Sequence, residues 1–282
     1  MSGFSPEWLA LREPVDHRSR NRALAARLSD RLAGREHLRI VDLGCGTGSN
    51  IRATSALLGR VQHWTLVDYD AALLATARTA LSEWADRVAA EADVLVLEKD
   101  GRTLHVTFRQ ADLVRDLEAA LGSHPDLVTA SAFFDLCSAA FIDQLAAKIA
   151  ARRAHFYTVL TYDGAQSWTP PHSADAAMTA AFHHHQATDK GFGRAAGPDA
   201  PAALRRALVA NGYAVEEGDS PWLLDGTDEA TLIGDLATGF ADAVAQTGTV
   251  PASVVNGWRK VVRTGAVVGH GDTLALPRDT SP

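Results

Sequence analysis

Between positions 39 and 50 the chain reads Arg39-Ile40-Val41-Asp42-Leu43-Gly44-Cys45-Gly46-Thr47-Gly48-Ser49-Asn50, and few folds accommodate such a run. It begins as a short, β-branched apolar stretch, which reads as a strand buried in a parallel sheet. Three glycines at alternate positions follow. Beyond them Ile51, Ser55 and Leu58 recur at helical spacing, which predicts a helix after the turn. Strand, glycine turn and helix form the first half of a doubly wound α/β nucleotide-binding unit. Glycine suits the turn because the backbone must bend sharply and a ligand must approach without meeting a Cβ.

A dinucleotide fingerprint has the form G-x-G-x-x-G or A, whose last small residue closes helix against strand. Here the spacing is G-x-G-x-G, and Ser49 holds the third fingerprint position. Asp42 at the strand end would repel a pyrophosphate but suit an ammonium group. The run Val41 to Gly48 resembles the first motif of the class I S-adenosylmethionine (SAM)-dependent methyltransferases, whose cofactor has an ammonium group and no phosphate. That resemblance implies a doubly wound, mostly parallel seven-stranded α/β sheet with helices on both faces. It also implies SAM as cofactor, with S-adenosylhomocysteine as product. The expected contacts from the turn are Asp42, Gly44, Cys45, Gly46, Gly48 and Asn50.

The 282 residues allow one large α/β domain. A formal net charge of −7 argues against nucleic acid as partner. Two cysteines, no visible secretory signal and no long apolar span predict a cytoplasmic protein that does not enter a membrane. The expected partner is a small-molecule acceptor; the oligomeric state is left open.

Residues 1–35 read as an N-terminal helical segment, with Leu24, Leu28 and Leu32 at every fourth position. In the family such helices often cover the cofactor, and an arginine can hold its carboxylate. Arg12 or Arg20 suits that role, with Arg12 the first choice. The methyltransferase domain is expected over 36–282. A second strand, Trp64 to Asp68, ends 20 residues beyond Gly48, the spacing of an acid that accepts from ribose hydroxyls. Tyr69 is expected to flank the adenosine and Asp70 to cap a helix with Leu73, Ala77, Leu81, Trp84 and Val88 inward. Asp100-Gly101 marks a hairpin between two alternating runs. Asp112, with the Leu113 amide, matches the family's adenine position.

The fourth strand covers 126–132 and the fifth 154–162, ending at Asp163-Gly164. Ligands in open parallel sheets bind beyond the carboxyl ends of the strands. Ser131, Phe133 and Asp135 are therefore expected near the methyl group, and Phe133, Phe134 and Trp168 as apolar lining. An insert of about 165–200 is expected to form an acceptor lid. Within it stand His183, His184 and His185; consecutive helical side chains fan apart, so no metal is expected there. His185 and Asp189, four apart, could pair, which makes His185 the leading acid/base candidate, with Asp135 and Tyr162 beside it. Helices are expected around 204–208, 227–246 and 254–261, then a strand over 265–276, which the family inserts antiparallel between its two predecessors. Thr161 to Gly164 and Thr188 to Gly193 also look similar to bacterial methyltransferases of unassigned substrate. Two other readings are a SAM-binding regulator without turnover and an NAD-dependent oxidoreductase; Ser49 and the Asp42 charge speak against the second.

Overall fold

The computed structural model describes residues 4–91 and 93–278. Two helices come first, α1 (Pro6–Ser19) and α2 (Arg22–Leu32). Ser5 caps α1 by accepting from the Trp8 amide, and Asn21 caps α2 by accepting from the Ala23 and Leu24 amides. Strand β1 (His37–Leu43) then passes through the glycine turn into α3 (Ser49–Thr54). β2 (Val61–Asp68) and α4 (Ala71–Trp84) follow. β3 (Arg87–Glu91), β4 (Val94–Lys99) and β5 (Arg102–Gln110) make an antiparallel meander. Its second hairpin turns at Asp100-Gly101, both with positive φ, as the sequence predicts.

Next come α5 (Leu113–Leu121), β6 (Leu127–Ser131), α6 (Ala139–Arg152), β7 (His155–Thr169) and α7 (Asp175–Gln186). The rest is α8 (Ala200–Ala210), β8 (Tyr213–Asp219), β9 (Trp222–Asp225), α9 (Ala230–Thr247), α10 (Ala252–Arg259) and β10 (Gly265–Pro277). Among the described residues no helix is long and apolar enough to cross a membrane.

The strands form one sheet in the order β3-β4-β5-β2-β1-β6-β7-β10-β8, with β9 also on β10. Strands β5, β2, β1, β6 and β7 run parallel, and β10 is antiparallel to both β7 and β8. The seven expected strands are thus present, the last antiparallel between its two predecessors, but among the described residues the sheet has ten. β3 and β4 extend one edge and β9 is a short addition. Two apolar layers cover the faces. One gathers Leu24, Leu28, Leu32, Trp64 and Leu81; the other gathers Phe134, Ile142, Leu145, Phe156 and Leu204.

Two local expectations need correction, and one strand is new. Val88 does not continue the buried stripe of α4: that helix stops at Trp84, and Val88 lies on the exposed edge strand β3. β7 does not stop at Asp163-Gly164 but continues to Thr169, because β10 pairs with it as far as Gly265 opposite Thr169. Trp222 to Asp225 forms β9, since β10 offers its other edge there.

Candidate active site

β1 is flanked by β2 on one side and β6 on the other, so the winding of the sheet reverses there. Open parallel sheets leave a crevice at this point, beyond the carboxyl ends of the strands. The glycine turn sits in it. Gly44, Gly46 and Gly48 have φ of +62°, +53° and +76°, a region that side chains with a Cβ rarely enter. At Gly44 a Cβ would also lie 2.6 Å from Phe133 Cδ2. Leu9 of α1 packs over Gly46, and His17 Nε2 lies 2.9 Å from Ser49 Oγ, so α1 spans the turn.

Beneath the turn lies a buried polar knot. Asp42 is fully buried, and its Oδ1 accepts from Asn50 Nδ2 at 2.7 Å. Its Oδ2 has no partner among the described residues. Burial drives the Asp42 carboxyl up to about 7, against the pull of Asn50 and Arg20. Asn50 Nδ2 also donates to Thr129 on β6, and Asn50 Oδ1 accepts from Arg20 at 3.0 Å and from Thr54 at 3.1 Å. Asn50, read from sequence as a cofactor contact, is therefore turned inward with its donors and acceptor employed. It positions Asp42 and ties β1 to β6.

Arg12 also departs from expectation. Its Nε and Nη2 donate to both oxygens of Asp16, at 2.8 and 3.1 Å, and its guanidinium lies 4.8 Å over the Trp222 ring. Trp222 Nε1 donates to the same Asp16. The Arg12 fork is thus engaged within the protein. Arg20, the other candidate, faces the knot under the turn, not the crevice.

On the ribose side, Asp68 points at the turn. Its Oδ2 accepts from the Gly46 amide at 2.8 Å and its Oδ1 from the Asp70 amide at 2.9 Å. Burial raises its pKa, while these amides pull the other way. The Cys45 amide donates to Val67 O at 3.0 Å. Burial pushes the Cys45 thiol well up, so it is not a thiolate nucleophile. Tyr69 is 55 % exposed beside the crevice rim. Asp112 caps α5 by accepting from the Val114 amide at 3.0 Å, and Leu113 is buried. The Ala111 amide donates to Asp68 O at 2.9 Å, which brings Asp112 close to Asp68 on one rim.

The other rim carries Ser131 at the end of β6, then Ala132 at φ +50°, and Asp135 in a single helical turn. Burial raises the Asp135 carboxyl to about 6, opposed by its own amide and by Arg12. Tyr162 Oη lies 3.1 Å from His183 Nε2. Burial, with Asp163 and Asp135 nearby, pushes the Tyr162 phenol up. The expected pairing of His185 with Asp189 does not form. His185 Nε2 contacts Gln246 Oε1 at 3.1 Å, and Asp189 Oδ1 accepts from the Gly191 and Gly193 amides. His183, two residues earlier, is the histidine that meets the strand ends. Its partner is 21 positions away, so no local spacing in the sequence marks it.

The expected apolar lining is corrected too. Phe134 is fully buried against Phe156, and Trp168 packs with Phe240 and Trp258, while Phe133 lies on Gly44. Among the described residues no group of three or more His, Cys, Asp or Glu is placed to hold a metal.

Solved structures share this architecture. YcgJ from Bacillus subtilis superposes with a TM-score of 0.52 at 12% identity, over 92% of this chain and 100% of that one. A cyclopropane-fatty-acyl-phospholipid synthase-like protein from Lactobacillus casei gives 0.51 at 14%, over 94% and 99%. BH2331, a candidate methyltransferase from Bacillus halodurans, gives 0.50 at 13%, over 90% and 97%. The fold is that of the class I methyltransferases. At these identities the likeness concerns the fold alone. No family model and no curated protein matches the sequence.

The residues present fit a SAM-like group. The orphaned Asp42 Oδ2 leaves an unpartnered carboxyl atom beneath the turn, whose ionised form a cation above it would favour. Asp68 accepts one amide at each oxygen and keeps further lone-pair capacity for hydroxyl donors. No phosphate is favoured beside these two carboxyl groups.

Proposed function

We propose that the chain is a SAM-dependent methyltransferase that methylates a small molecule in the cytoplasm. The observation that carries this reading is the Asp68 carboxylate, 2.8 Å from the Gly46 amide at the switch point, with Asp42 buried behind it. In this reading residues 36–282 form the catalytic domain, residues 1–35 its cover, and about 165–200 the acceptor lid. Asp68 holds the sugar hydroxyls, and Asp112 with the Leu113 amide meets the adenine. Gly44, Gly46 and Gly48 let the ligand approach the backbone, with Phe133 as the apolar wall. When bound, SAM supplies an electrophilic methyl group on a positively charged sulfur.

The chain's own part is alignment first and proton handling second. Alignment of two reactants is worth about 7–11 kcal/mol. A general base adds about 10²–10⁴-fold, which is about 3–5 kcal/mol. With His183 in the tautomer whose Nε2 carries a lone pair, the Tyr162 phenol, kept protonated by burial, donates to that nitrogen and offers its remaining lone pairs to an acceptor N–H or O–H. A proton leaving the acceptor can pass to Tyr162 as the phenolic proton passes to His183. Asp135 stands beside them as a second proton acceptor.

The test is calorimetric titration of the intact protein with SAM and S-adenosylhomocysteine. Both are expected to bind, and NADH is not. Asp68→Ala removes a charged acceptor and should weaken SAM about ten- to a hundredfold. Absence of SAM binding by the wild-type chain would refute the reading.

A further inference from the structure

A cavity of 630 Å³ lies between the end of α7, the segment that follows it and the amino ends of α6 and α8. Its volume falls within the usual range for small-molecule sites, about 300–1,000 Å³. Much of its floor is alanine, Ala139 and Ala203 among them, which leaves room for a ligand body. Its polar lining is cationic in balance: Arg194 and Arg206 face Asp199 and His183. Neither guanidinium has an ion-pair partner among the described residues. Arg205, next to Arg206, is engaged instead: it pairs with Glu217 at 2.7 Å.

The cavity also communicates with the candidate active site. His183 lines it and contacts Tyr162 Oη through Nε2. The Ala196 amide donates to Cys137 O at 2.7 Å, which pins the cavity wall to the loop that carries Asp135. A molecule seated here therefore touches His183 and lies one contact away from Tyr162.

We propose that this cavity binds the anionic head, a carboxylate or a phosphate monoester, of an acidic small molecule with an apolar body. Arg194 and Arg206 clamp the head, and the body lies on the alanine floor. The forked donors of arginine match both head groups. Asp199 limits the lining to one net positive charge, which suits a single anionic group. That this molecule is the methyl acceptor rests on the methyltransferase reading; the binding itself does not.

The test is saturation-transfer NMR on the intact chain. The probes are phenylacetate, hexanoate, phenyl phosphate and hexyl phosphate, each against the alcohol of the same body. At least one acid should bind and its alcohol should bind far more weakly; the tighter head group identifies the class. Arg194→Gln with Arg206→Gln should weaken that acid about tenfold or more, since a hydrogen bond to a charged group is lost at each site. Arg205→Gln, which removes one like charge from α8 beside Arg206 but outside the cavity, should leave binding as in the wild type. Urea melts of all variants confirm the fold. Acids that bind no better than alcohols overturn the proposal, as does equal weakening by Arg205→Gln. SAM titration of the same samples separates the two readings. A chain that takes up the acids but not SAM keeps this site and loses only its assignment as acceptor pocket.

Discussion

Replacing Asp42 by Asn tests how the turn is built. Burial holds the Asp42 carboxyl at about 7, against an ordinary value of 3.8. The native state therefore favours the protonated form. Its stabilising contribution is complete below pH 3.8 and is lost as the pH rises through 7. By linkage, the loss between pH 5 and pH 8 is about 2–3 kcal/mol. Asn keeps the shape and the acceptor that Asn50 uses, but it does not titrate. Other groups titrate as well: burial lowers His270 to about 3 and raises Asp135 to about 6. They are common to both proteins and cancel in the difference. Urea unfolding of the ligand-free wild type and Asp42→Asn at the two pH values is the assay. The stability difference should move by about 2–3 kcal/mol toward the variant on going from pH 5 to pH 8. Parallel pH curves for the two proteins would refute the reasoning, because Asp42 would then not be held in a dry, underpaired site.

Two further outcomes follow from the same geometry. Asn50→Ala removes the partner of Asp42 and an acceptor of buried Arg20, so it should cost about 3–5 kcal/mol, read as a lower urea midpoint with an unchanged slope. In a methyl-transfer assay His183→Ala should lower kcat about a hundredfold with the SAM dissociation constant unchanged, whereas His185→Ala should change kcat less than about threefold; equal effects would remove His183 from the proton path.

Much of this architecture is legible in the chain itself, and the reason is local. The glycine turn, the 20-residue step to Asp68 and the Asp100-Gly101 hairpin are each specified by neighbours in sequence. What escapes is set by distant partners. β3 is exposed at all five residues, so no alternation marks it, and the helical period of α4 runs straight into Val88. β9 has four residues and exists because β10 offers an edge. Around the site the same rule holds. Asp68 announces itself by spacing, but the choice between His183 and His185 depends on Tyr162; the Arg12 fork is held by its i+4 neighbour Asp16, while the ring over it comes from Trp222, 210 residues away. Asn50 has the right position for a ligand contact; only the tertiary structure reveals that Arg20, Thr54, Asp42 and Thr129 share it.

The placement of β10 bears on the order of assembly. This strand emerges from the ribosome after all the others described, yet it separates β7 from β8, which have no direct pairing. Until it docks, β7 presents a raw edge of unpaired amides, the kind of surface that recruits other chains. Asp272 on β10 also accepts from the Asn21 amide at 2.7 Å and from the Leu160 amide at 2.8 Å. The helices that roof the glycine turn are thus latched by a residue made some 250 positions later. A nascent chain can build the parallel half of its sheet early, but it closes its ligand crevice last.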